Sequence, residues 1–241
     1  MEAERSLVHF LPILTTLVSV PFAIVLFQRY RDRGGLHLLW WGIGVTMYGV
    51  GTLTESLTTL LGWDPLVFRF WYVSGALLGG APLAQGTVYL LLSRRWADRF
   101  TVLLVTAVAV AATMVFLSPL NLALVEPYRL SGRVLEWTWV RLFSPFINLY
   151  AVFFLIGGAL WSAYKYARRR EPGGGGRVLG NLLIAVGAIL PGIGGTFTRF
   201  GHVEVLYVTE LLGLLLLYAG YRANVGSAAP AVHPNLVGST A

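Results

Sequence analysis

Apolar residues run along this chain in seven long blocks, at about residues 7–27, 36–61, 70–93, 101–120, 138–164, 178–198 and 203–221, divided by short connections. A helix needs about 20 mainly apolar residues to cross the roughly 30 Å hydrocarbon core of a bilayer, and each block supplies them. The pattern predicts an all-α fold, a polytopic bundle of seven transmembrane helices spanning residues 1–223. Residues 224–241, rich in Ala, Gly, Ser, Pro and Val, read as a disordered cytoplasmic tail. The connection at 171–176, EPGGGG, reads as a flexible loop.

Composition agrees with the pattern. The chain is 56% hydrophobic and 12% charged, about half the charge of an average soluble domain. It has no cysteine, which excludes disulfides and thiolate chemistry. A net charge of +7 raises the question of nucleic acid, but its placement answers it. Arg29, Arg31 and Arg33 follow the first block, Arg94, Arg95 and Arg99 the third, Lys165, Arg168, Arg169, Arg170 and Arg177 the fifth, and Arg222 the seventh. One side of the membrane thus carries 12 of the 18 basic residues. The positive-inside rule makes that side cytoplasmic and puts the N-terminus outside; the expected location is a bacterial inner (cytoplasmic) membrane. Nucleic acid is not an expected partner. Membrane lipid is, and Lys165, Arg168, Arg169 and Arg170 are the expected contacts for anionic lipid or for a signalling partner.

Ionisable groups at membrane depth are costly and are functional candidates by default. Glu55 and Glu210 each fall about two turns from the outer end of their spans, with Arg141 and Arg199 as candidate counter-charges at similar depth. Asn148 shares the face of Arg141, Gln85 lies mid-span, and Tyr72 and Tyr207 add hydroxyls. These eight residues define an expected outward-facing polar and aromatic ligand site. The same charges would also serve as clasps between helices, and the sequence leaves both readings open. Arg69, Glu136, Trp137 and Trp139 read as interface anchors.

Pro191, with Gly192, Gly194 and Gly195, marks the sixth span as an expected conformational hinge, although close packing would ask for the same residues. Gly75 and Gly79 give a GxxxG spacing that permits tight helix contact, including contact between two copies of the chain. The four histidines are scattered, so no metal site or cofactor is expected, and no catalytic motif points to an enzyme. An echo between Tyr72–Gly79 and Tyr207–Gly213 hints at two three-helix units joined by the fourth span.

Taken together, the run Tyr48-Gly49-Val50-Gly51-Thr52-Leu53-Thr54-Glu55, the aromatic Phe68-Arg69-Phe70-Trp71-Tyr72 with Pro82 beyond it, and Gly187-Ala188-Ile189-Leu190-Pro191-Gly192 before Phe200-Gly201 carry a resemblance. The chain resembles the seven-transmembrane sensor module at the N-terminus of bacterial histidine kinases. That resemblance implies a receptor-like sensor of a small or lipophilic ligand. With no kinase domain in these residues, output would pass through a partner protein. A small transporter or channel, or an accessory subunit of a membrane complex, are the alternatives.

Overall fold

The computed structural model describes residues 7–126, 129–169 and 174–227. Among these, structure is helical apart from connecting turns and two isolated bridges, Leu120 with Leu135 and Glu126 with Arg129. Helix α1 spans Leu11–Arg33 and α2 spans Leu36–Leu61. The third span is α3 (Pro65–Trp71), a π-helical stretch Tyr72–Leu77, and α4 (Ala81–Leu91). Next come α5 (Arg94–Leu117), then α6 (Phe143–Ala151), a second π-helical stretch Val152–Ile156 and α7 (Gly157–Arg169). Helices α8 (Gly174–Thr198) and α9 (Val203–Gly226) are the last among the described residues.

Among the described residues, six helices are long and apolar enough to cross a membrane. A seventh, α2, is equally long but carries Gly, Thr, Ser and Glu, and half its residues are buried. Packed between α1 and the third span, it does not need an apolar surface against lipid. The pattern of exposure is that of an integral membrane protein. Leu14, Leu17, Val20 and Ile24 on α1, Val102, Leu103 and Val105 on α5, and Phe146, Phe153 and Trp161 on the fifth span are exposed. Thr15, Ser19, Thr52, Ser56, Ser74 and Gln85 are buried. In lipid, apolar side chains can cover the outside while polar groups find partners within.

Helices α1, α2, α4, α7, α8 and α9 pack as a ring, and α5 lies outside it against the third and fifth spans. The ring's tightest seam is α8 on α9. A Cβ at Gly187 would come within 2.7 Å of the Gly213 carbonyl oxygen, and one at Gly220 within 2.5 Å of the Gly180 oxygen. Gly194 lies as close to Leu206 and Thr209. The contacts repeat every seven residues on both helices, the spacing that keeps one seam facing its partner.

Several boundaries differ from the sequence reading. The helices run on through the arginines, to Arg33 at the end of α1 and from Arg94 at the start of α5. Arg94 is held there by Asp98 one turn on, at 2.9 Å. Gly34 and Gly35 turn the chain between α1 and α2 at φ +67° and +95°, values a side chain rarely adopts. The expected loop at 171–176 is helical from Gly174, and helix α9 continues to Gly226, three residues into the expected tail. Asn181, Asn224 and Ser227 explain both: Asn181 Nδ2 donates to Asn224 Oδ1 at 3.1 Å, and Gly176 seats against the Ser227 side chain. Arg170, and the tail from residue 228, lie outside the described residues.

The expected hinge also differs. Pro191 sits inside an unbroken α8, and Gly194 is spent on packing against α9, with Gly192 and Gly195 facing open space. The interruptions fall in the third and fifth spans, which the suggested repeat would not relate. At the third, Pro82 cannot donate, and the chain turns through Leu78, Gly79 and Gly80 before α4. The Ala76 carbonyl freed there accepts from Ser144 Oγ at 2.8 Å and from Asn148 Nδ2 at 3.1 Å. Gly75 of the GxxxG pair meets Gly51 of α2, so that spacing serves contact within the chain.

Candidate functional site

Two polar regions lie at opposite ends of the ring. At the end away from Lys165, Arg169 and Arg177, Glu55 on α2 and Glu210 on α9 come together. Glu55 is 4% exposed, and the two carboxyl groups meet within hydrogen-bonding reach. Trp71 Nε1 donates to Glu55 Oε1 at 3.0 Å. The Tyr48 hydroxyl donates to the Glu210 backbone carbonyl at 2.8 Å, joining α2 to α9 just beneath the pair. Thr16 and Thr52 bond at 2.9 Å on the adjoining α1–α2 face.

The expected counter-charges are not part of this region. Arg141 and Arg199 are exposed, and no ion pair among the described residues joins either to a glutamate. The arginine that does come near is Arg129. Its Nη1 bonds Glu126 at 3.0 Å, its Nη2 donates to the Thr198 carbonyl, and its charge is felt at Tyr207. Tyr207 is buried beside the pair, with the His9 ring edge-on at 6.0 Å and His9 Nε2 3.9 Å from Glu204.

The remaining expected ligands have other work. Tyr72 packs in an apolar cluster with Phe68, Leu77 and Val140 and against Gly132, while its neighbour Trp71 reaches Glu55. One residue on a helix turns the side chain by about 100°. Gln85 is fully buried and bonded at both ends of its amide: its Nε2 donates to the Ala97 carbonyl at 3.1 Å and Thr101 Oγ1 at 2.8 Å, and its Oε1 accepts from Tyr150. Asn148 caps the break in the third span. Arg69, expected as an interface anchor, caps the end of α5 by donating to the carbonyls of Val115, Phe116 and Ser118.

At the basic end the ring encloses a cavity of about 440 Å³, within the range that holds small ligands. None of the eight expected ligand residues lines it. Its inner wall is Phe22, Leu26, Trp41, Leu83, Leu155 and Leu217. Small residues on α7 make the room: Gly158, Ala159 and Ser162 face α4, with Gly158 against Thr87. The mouth carries Lys165, Arg169 and Arg177. Arg177 lies 5.1 Å over the Tyr166 ring, and Lys165 is exposed. Tyr221, in the wall, has a buried hydroxyl with no hydrogen-bond partner. Asn181 and Asn224 also line the mouth but are spent on each other. An apolar chamber with cations at its mouth can hold a molecule with an apolar body and an anionic head. Sequence reasoning gave Lys165 and Arg169 as surface contacts and missed the chamber, because no single helix announces a gap among six. No protein family, curated protein or solved structure matches this chain.

Proposed function

We propose that this membrane protein is a receptor-like binding protein for an amphipathic anion, taken up in the cavity at the basic end. The observation that carries the reading is the pairing of an apolar wall with Lys165, Arg169 and Arg177 at one opening. A charged head costs much in a dry site unless paired, and three cations at the mouth supply the pairing while the apolar body gains from burial. The ligand remains in the lipophilic class anticipated from the sequence; its site moves from the outer polar residues to the basic end. In a bacterial inner membrane with the N-terminus outside, the cavity faces the cytoplasm, where anionic lipid heads and soluble acyl anions both occur. The likeness to kinase sensor modules supports a receptor rather than an enzyme.

A second reading, a small carrier, is favoured by one observation. The third span breaks beside the π-helical stretch of the fifth, with Gly80 against Ala151, and a broken span beside a central site is how carriers change access.

Dodecyl phosphate binding to the protein in neutral-lipid nanodiscs tests the proposal. Saturable binding is expected, with dodecanol binding far more weakly. Arg177→Gln should weaken dodecyl phosphate about tenfold to a hundredfold, the worth of one charged hydrogen bond. Equal binding of the alcohol, or an unchanged affinity in Arg177→Gln, would refute it. Transport of the phosphate across proteoliposomes would select the carrier over the receptor.

A further inference from the structure

The Glu55–Glu210 pair plays no part in the anion cavity, and its geometry raises a question of its own. The two carboxyl groups are in contact, yet Oε2 of each is buried with no donor. Thr59, one turn along α2 on the face of Glu55 and 1% exposed, also has a buried hydroxyl without a partner. An ionised carboxylate only accepts hydrogen bonds, so two ionised groups in contact repel and neither can satisfy the other.

A positive charge between them would resolve this, and no ion pair among the described residues places one there. Among the described residues, the titratable and charged groups around the pair are Tyr48 on α2 and Tyr207 on α9, with Glu204, His9 before α1 and Arg129 from the loop before α6 around Tyr207. Arg129 is bonded to Glu126 and the Thr198 carbonyl, and His9 lies against Glu204. From α1 the neighbours are hydroxyls, Thr16 with Thr52, and from α3 the indole of Trp71.

We propose that Glu55 and Glu210 form a proton-binding site, with one proton held between the two carboxyl groups. Binding makes one O–H bond on one carboxylate, and the pair passes from two negative charges to one. The bound proton supplies the donor that the facing oxygens lack, and Trp71 holds Glu55 in place to share it. Water at that end delivers the proton past Glu204, Tyr207 and His9, the groups between the pair and the surface, and release returns it by the same route. The inference does not depend on the anion site.

Dicyclohexylcarbodiimide reacts with protonated carboxyl groups in apolar surroundings and so reports the proton. At about pH 8, where an ordinary glutamate is ionised, peptide mass spectrometry should find label on Glu55 or Glu210 and none on Glu126 or Glu136. In Glu55→Gln the amide can donate to Glu210 in place of the proton, so labelling of Glu210 should fall about tenfold or more, as for a shift of one pK unit or more. Absence of label from both residues in the wild type, or undiminished labelling of Glu210 in Glu55→Gln, would overturn the proposal. If that variant does not fold, infrared spectra of the wild type decide. A protonated-carboxyl stretch that persists at about pH 8 supports the site, and its absence refutes it.

Discussion

Among single residues, what a side chain touches here depends on its angle around the helix as much as on its depth. Glu55 and Glu210 were legible as a pair because carboxyl groups are rare in apolar spans, and depth alone placed them at one level. Their neighbours were not legible. Sequence spacing offers Tyr72 and Trp71 equally, and packing chooses Trp71 for Glu55 while Tyr72 turns into the apolar cluster. Arg129 comes from an irregular loop of single turns, where no periodicity says which way a side chain points. The Trp71 contact makes a direct prediction. Trp71→Phe keeps an aromatic ring, though a smaller one, and takes the donor from a buried carboxyl oxygen, a loss that alone costs about 1–3 kcal/mol. Thermal unfolding in mild detergent should show that loss. Trp139→Phe, an exposed aromatic far from the pair, should leave stability unchanged.

At the level of elements, glycine and proline mark close approach and interruption in different places from those their clustering indicates. Pro191 and its glycines look like a hinge in the sequence, yet α8 is continuous and its glycines at 180, 187 and 194 form a flat seam against α9. The signal for that seam is present in the sequence, as a seven-residue glycine spacing on both helices, beside a proline that by itself indicates a hinge. The break at Gly79 and Gly80 was half legible from Pro82, and its cap by Ser144 and Asn148 from another span was not. The seam predicts unequal tolerance along one helix. Gly187→Val would place side-chain atoms within 2.7 Å of the Gly213 carbonyl and should sharply lower the unfolding temperature. Gly192→Val, where nothing lies within 4 Å, should be accepted with little change. Equal losses at the two positions would mean that α8 does not meet α9 through this seam.

For the molecule as a whole, the membrane class and helical bundle follow from hydropathy, because burying backbone in lipid leaves helices as the fold open to an apolar chain of this pattern. The cavity does not follow, since it is the space left where six helices meet and its residues are scattered from Phe22 to Asn224. The proposed orientation predicts that reporters inserted at 34–35 and at 170–173 both read cytoplasmic; opposite readings at the two would break the bundle's topology. The account turns most on the chamber at the basic end, and Trp41 in its wall reads it directly. A dodecyl phosphate brominated along its chain, titrated onto the protein in neutral-lipid nanodiscs, should quench tryptophan emission saturably. That component should vanish in Trp41→Phe and weaken in Arg177→Gln. Quenching that is linear in probe, or that survives unchanged without Trp41, would show that the anion does not enter the chamber.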